Sequence, residues 1–162
     1  MKEDKNRRIK IIILLFCVLG TMALIFYFSS QPVEQSDGLS TAIAAAILSW
    51  VRPGIDLTAN SPLLESIDHI ARKTAHFFLY SLLGFNLSYL FIQIKNGRGP
   101  LLYSLPIGLF YAMSDEFHQI FVSGRGPLWQ DVILDFCGVI AGGFAAALLH
   151  KLLLYSARGH VS

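Results

Sequence analysis

The chain has 162 residues, enough for one domain, and 54% of them are hydrophobic against 15% charged. With a mean hydropathy of +0.53 it is too apolar for a soluble domain. Its net charge of +2 is dispersed at the ends of apolar runs rather than gathered in one stripe, which excludes a nucleic-acid partner.

A membrane-crossing helix needs about 20 apolar residues, and four stretches come close to that. Ile11 to Phe28 is uncharged, and its length and the lack of a small-residue cleavage site after it argue against a removable signal peptide. Residues 29–73 form a long connection. Within it Leu39, Ile43, Ala46 and Trp50 recur at helical spacing before Pro53, so Gly38 to Val51 is expected to be an amphipathic helix on the membrane surface or over the mouth of a bundle. Ser61-Pro62, with Glu65 in the first turn, then looks like a helix start that runs on into the second span, Ala75 to Ile94. After the turn Asn96-Gly97-Arg98-Gly99-Pro100 comes Leu101 to Val122, interrupted by Pro106 and by Asp115, Glu116 and His118. The fourth span, Val132 to Leu154, opens with Asp135 and closes with His150 and Lys151. The fold class expected is all-α: a polytopic four-helix membrane bundle forming a single domain, with an extracytoplasmic amphipathic helix between the first two spans.

Orientation follows the distribution of Lys and Arg in short flanks. Lys2, Lys5, Arg7, Arg8 and Lys10 precede the first span, Lys95 and Arg98 lie between the second and third, and Lys151 and Arg158 follow the fourth. Those segments belong inside. Residues 29–73, richer in acidic than basic side chains, and residues 123–130, with only Arg125, belong outside. Both termini are thus expected in the cytoplasm, in a multi-pass protein of the cytoplasmic membrane. Cys17 and Cys137 fall in apolar runs near opposite faces and read as packing residues.

That topology gathers polar groups at the outer face. The second span begins after Arg72 and Lys73 and carries His76. The third ends with Asp115, Glu116, His118 and Gln119, and the fourth begins with Asp131 and Asp135. Asp115 lies roughly 10 Å below the outer boundary at 1.5 Å per residue. A charge at that depth costs on the order of a few kcal/mol unless it faces protein or water, so these groups are expected to face one another. Asp131, Asp135, Gly138 and Gly142 share one narrow stripe of the fourth helix, so the carboxylates stand above a pair of glycines that lets another helix approach closely. Arg72, His76 and Tyr80 share a face of the second helix, while Met113, Phe117 and Ile120 are left for lipid or apolar neighbours.

Three motifs in order, FSSQP at 28–32, RKTAHFFLYSLLG at 72–84 and SDEFHQIFVSGRGPLWQDVILDFCGVIAG at 114–142, resemble the VanZ-like family, which takes its name from a membrane protein associated with teicoplanin resistance. The strongest matches are Arg72, Lys73, His76, Phe77, Tyr80, Gly84, Asp115, Glu116, Gln119, Gly124, Arg125, Asp131, Gly138 and Gly142. At position 135 the family often has Asn where this chain has Asp. The resemblance implies a role in the cell envelope and tolerance of a glycopeptide, without implying a reaction.

Four readings of the polar set stay open. Arg72, Lys73 and Arg125 against Asp115, Glu116, Asp131 and Asp135 nearly neutralise one another as an ion-pair network that fixes helix register. Alternatively, Arg72, Lys73, His76, Asp115, Glu116, Gln119, Arg125, Asp131 and Asp135 bind an anionic headgroup at the outer leaflet, since guanidinium forks suit phosphate and carboxylate. Membrane lipids are the expected partners, together with a lipid-linked wall precursor or the glycopeptide itself. A third reading makes Glu116, Asp115 or His76 (with His118) an acid or base in an enzyme acting on a lipid headgroup, although no nucleophile elbow is present. The fourth is a metal site: the ligand types are acceptable, but Glu116 and His118 do not face each other at their spacing and no HExxH spacing occurs, so neither a metal nor another cofactor is expected. The sequence leaves the oligomeric state open.

Overall fold

The computed structural model describes residues 2–32, 38, 42, 46, 50, 62–95, 97, 99–126 and 128–159. Among them the protein is all-α, with four helices and no strand: α1 (Lys2–Ser29), α2 (Pro62–Ile94), α3 (Pro100–Gln119) and α4 (Trp129–Gly159). The amphipathic helix expected at 38–51 falls outside the described residues, apart from Gly38, Ala42, Ala46 and Trp50.

Three segments, Asp4–Ser29, His69–Ile94 and Trp129–Ser156, are long and apolar enough to cross a membrane. Hydrocarbon offers no partners to backbone amides, so an unbroken helix is the form such runs take. Two helices overrun the apolar stretches that announce them. The helical ladder of α1 continues back through the charged N-terminus, where Arg8 pairs with Asp4 one turn away at 3.2 Å. α2 is a single helix from Pro62 onward. By contrast, α3 stops at Gln119 and the chain turns through Ile120–Gly124, with Phe121 N donating to His118 O at 3.0 Å and Arg125 N to Val122 O at 3.1 Å. The third span expected over 101–122 therefore ends three residues earlier as a helix. It is also the one helix among the four not apolar enough to count as a span by composition. The physical reason is that its last turns carry Asp115, Glu116 and Gln119, all three of which are buried against the other helices.

The chain order of contacts fixes an up-and-down arrangement. Arg7, near the start of α1, donates from Nε to the carbonyl of Gln93 at 2.9 Å and from a terminal nitrogen to that of Ile94 at 3.2 Å, so its guanidinium covers carbonyls that the end of α2 leaves open. At the opposite end Ser29 of α1 meets Asp115 of α3, and Lys73 of α2 meets Asp131 of α4. α1 and α3 thus run one way, α2 and α4 the other. At the Arg7 end the turn into α3 passes close to His150 of α4, whose Nε2 would stand 3.0 Å from a Cβ placed on Gly97.

The most extensive interface is α2 on α4, and glycine makes it possible. A Cβ on Gly142 would run into the Ser81 carbonyl oxygen, and one on Gly138 would stand 2.6 Å from that of Phe77. Backbone cannot yield as a flexible side chain can, so the two helices approach this closely only with hydrogen at those positions. Val18, Ile25, Tyr80, Leu83, Leu87 and Val139 fill the core. Hydrogen bonds tie the remaining helices together: Asn86 Nδ2 to Thr21 Oγ1 at 3.1 Å, Tyr111 Oη to the Met22 carbonyl at 2.6 Å, and the shared Ser88–Ser104 bond at 2.7 Å. The outside is the reverse of a soluble protein's, with Phe16, Phe110 and Phe121 about 70% exposed (69%, 71% and 73%). Met113, Phe117 and Ile120 are exposed as their helical phase implies, and both cysteines are free.

Candidate functional site

The end of the bundle that holds Ser29 and Asp131 contains a cavity of about 620 Å³. Every helix contributes to its wall. α1 brings Tyr27 and Phe28, and α2 the stripe Arg72, Lys73, His76 and Leu79. Glu116 and Gln119 come from α3, Asp131 and Asp135 from α4, and Gly124, Arg125 and Gly126 from the turn between those helices. Gly124 adopts φ +79°, a left-handed conformation that costs glycine little, and this bend directs the following arginine back toward α1. A guanidinium nitrogen of Arg125 donates to the Phe28 carbonyl at 3.3 Å, across the end of α1.

The site has two layers. In the upper layer Lys73 Nζ stands 2.7 Å from Asp131 Oδ1, with both side chains partly exposed. Glu116 Oε2 accepts the Leu128 backbone N–H at 2.9 Å, which tethers the chain just before α4 to α3. One helical turn below Asp131, about 6 Å deeper, is Asp135, which is completely buried. His76 Nδ1 lies 3.6 Å from Asp135 Oδ2, close but beyond hydrogen-bond length. Asp115 sits behind the cavity wall and does not line it: its Oδ2 accepts from Ser29 Oγ at 2.7 Å and, at the long distance of 3.5 Å, from Gln119 Nε2. Ser29, Asp115 and Asp135 are all buried. Tyr80 lies directly beneath His76, with ring centroids 6.3 Å apart, and Tyr111 is 6.1 Å from Tyr80 on the other side.

The hydrogen bonding of this lower layer is incomplete. Among the described residues, Tyr80 Oη, Asp115 Oδ1 and both oxygens of Asp135 are buried without a hydrogen-bond partner. One donor atom each from His76, Asp115 and Asp135 lies within 4.8 Å of the others, a spacing from which a metal ion can be held.

Of the residues singled out in the sequence, Arg72, Lys73, His76, Glu116, Gln119, Arg125, Asp131 and Asp135 meet at one cavity, with Asp115 behind it. His118 does not join them. Its Nε2 is 3.2 Å from Ser30 Oγ and its ring packs on Phe26 at 4.6 Å, on the α1 side of α3. The expectation that it shares acid–base or ligand duty with His76 is therefore set aside on geometry. Sequence reasoning missed Ser29, the hydroxyl that holds Asp115. The signal was present as two serines closing an uncharged apolar span, in the FSSQP motif, where a buried polar group implies a partner on another helix.

Fold and site together define a helical membrane-type protein with a polar cavity at one end of an apolar bundle. A family model, VanZ/LLP1, matches residues 12–150, and the chain belongs to that family. No curated protein matches it, and no solved structure does.

Proposed function

We propose that this chain is a four-span protein of the cytoplasmic membrane, with both termini inside, whose cavity receives an anionic headgroup from the outer leaflet. In this role it acts as an envelope accessory factor that confers glycopeptide tolerance, teicoplanin being the antibiotic linked to the family's name. The observation that carries the reading is the convergence of Arg72 and Lys73 from α2 with Arg125 from the α3–α4 turn on one cavity that also offers Gln119 and Glu116 as hydrogen-bonding groups. Guanidinium forks hold phosphate or carboxylate through paired charge-assisted hydrogen bonds. The aromatic and aliphatic wall from Tyr27, Phe28 and Leu79 suits the first carbons of an acyl or polyprenyl chain. Phospholipids and lipid-linked wall precursors share this chemistry.

Arg125→Ala and Glu116→Gln test the reading in cells. Both are expected to abolish tolerance while the protein stays at its normal level in the membrane. Unchanged tolerance overturns the proposal, and loss of folded protein from both variants turns the same residues into a structural ion network. Topology is checked with Gly126→Cys and Lys95→Cys: a membrane-impermeant maleimide is expected to label the first from outside and not the second.

The approach of buried Asp135 to His76 Nδ1 favours a second reading, an acid–base enzyme acting on the headgroup. In that case purified protein incubated with membrane lipids and lipid-linked precursors yields a new species that is absent with Glu116→Gln. Saturable binding without product speaks for the accessory role.

A further inference from the structure

We propose that His76, Asp115 and Asp135 form a site for one divalent transition-metal ion at the floor of the cavity. The inference does not depend on the headgroup reading, because it concerns a deeper set of atoms.

The three residues come from three helices, α2, α3 and α4, and one donor atom from each lies within 4.8 Å of the other two. Donors around a tetrahedral zinc ion at bond lengths of about 2.0–2.2 Å stand roughly 3.4 Å apart. Small side-chain rotations about a central ion close that gap. The donor types, one imidazole and two carboxylates, suit Zn²⁺ and Mn²⁺ rather than soft, thiolate-seeking ions.

Burial is the second observation. Asp135 is fully enclosed and Asp115 nearly so, yet Asp135 Oδ1 and Oδ2 and Asp115 Oδ1 have no hydrogen-bond partner among the described residues. Buried carboxylate oxygens in an apolar bundle are ordinarily paired or bound to a metal. The nearby lysine does not answer for them, because Lys73 Nζ is engaged by Asp131 in the layer above. Ser29 and Gln119 both reach Oδ2 of Asp115, and the one further donor beside this carboxylate among the described residues is the Tyr80 hydroxyl, itself without a hydrogen-bond partner. A divalent ion balances two carboxylates, which a single imidazole does in neither protonation state. Ser29 and Gln119 would then orient one ligand, as outer-shell partners do in metal centres. His76 and Asp135 line the cavity while Asp115 does not, so the open coordination positions face the cavity and water.

The test uses the full chain in detergent micelles, without a polyhistidine tag, stripped with chelator and dialysed. Zn²⁺ alone is titrated calorimetrically, and bound metal is counted by elemental analysis. One Zn²⁺ per chain is expected, with a rise in thermal midpoint that Mg²⁺ does not reproduce. His76→Ala and Asp115→Asn are expected to weaken binding by about tenfold or more, at least the loss that removal of an outer-shell partner brings. His118→Ala, which removes a ring held by Ser30 and Phe26 one turn beyond Asp115, is expected to bind as the unaltered chain does. Because Asp115→Asn risks misfolding, Asp135→Asn, which keeps the shape of the side chain, is measured beside it, and Co²⁺ bound to the unaltered chain is read by its visible absorption. Absence of stoichiometric binding, equal binding after His76→Ala, or loss of binding with His118→Ala overturns the proposal. No lipid is titrated, so failure here leaves the headgroup reading standing.

Discussion

The hydrogen bond from Ser29 Oγ to Asp115 Oδ2, 2.7 Å long and wholly buried, is the contact on which the shape of the lower layer rests. Ser29→Ala removes the shortest hydrogen bond to Asp115 among the described residues. Interhelical hydrogen bonds in membranes contribute about 0.6 kcal/mol on average in double-mutant cycles. That puts the Ser29–Asp115 coupling at about 0.6 kcal/mol, or roughly threefold in the unfolding equilibrium. The assay is reversible unfolding in mixed micelles on the unaltered chain, Ser29→Ala, Asp115→Ala and the double variant. The single change at Ser29 costs more than the coupling, because it also strands a buried acceptor, by about 1–3 kcal/mol in all. A coupling below about 0.3 kcal/mol, the level at which independent sites simply add, refutes the claim that α1 holds Asp115 in place.

Gly142→Leu is expected to cost about 3 kcal/mol, at the upper end for overpacking, because its Cβ meets the Ser81 backbone oxygen rather than a movable side chain. Gly20→Leu, with nothing within 4 Å of its Cβ, is expected to stay within about 0.5 kcal/mol in the same unfolding assay. Lys73→Glu breaks a pair whose side chains are 34% and 26% exposed, so its effect on thermal stability stays below about 1 kcal/mol. Combined with Asp131→Lys it is expected to recover that small loss without recovering headgroup binding, and full recovery of binding would show that the position of the charge is irrelevant.

Much of the fold is legible in the sequence because hydrocarbon imposes simple demands. Uncharged runs become helices, and the spacing of Gly138 and Gly142 announces a close helix contact before any partner is known. The convergence of Arg72, His76, Glu116, Arg125 and Asp135 is legible for the same reason, since ions avoid acyl chains. Other features are not carried by a one-helix pattern. Helical phase places Asp115 and His118, three residues apart, on neighbouring positions of one face of α3, but does not show that Ser29 receives the first and Ser30 with Phe26 the second. Hydropathy marks where the apolar stretch of α1 begins, at Ile11, but not that Lys, Arg and Asp, joined by the Asp4–Arg8 pair, carry the helix back to Lys2. It also undervalues α3, whose polar end is buried by its neighbours rather than by lipid.

The central claim is that cations from α2 and the α3–α4 turn hold an anionic headgroup in the cavity. Native mass spectrometry of protein released from membranes of mixed lipid composition tests it most directly. The unaltered chain is expected to retain one anionic lipid or lipid-linked precursor in preference to zwitterionic lipid, and a Lys73→Ala, Arg125→Ala variant to lose that preference. Equal retention of anionic and zwitterionic lipids by the unaltered chain, or a preference that survives both substitutions, would contradict it.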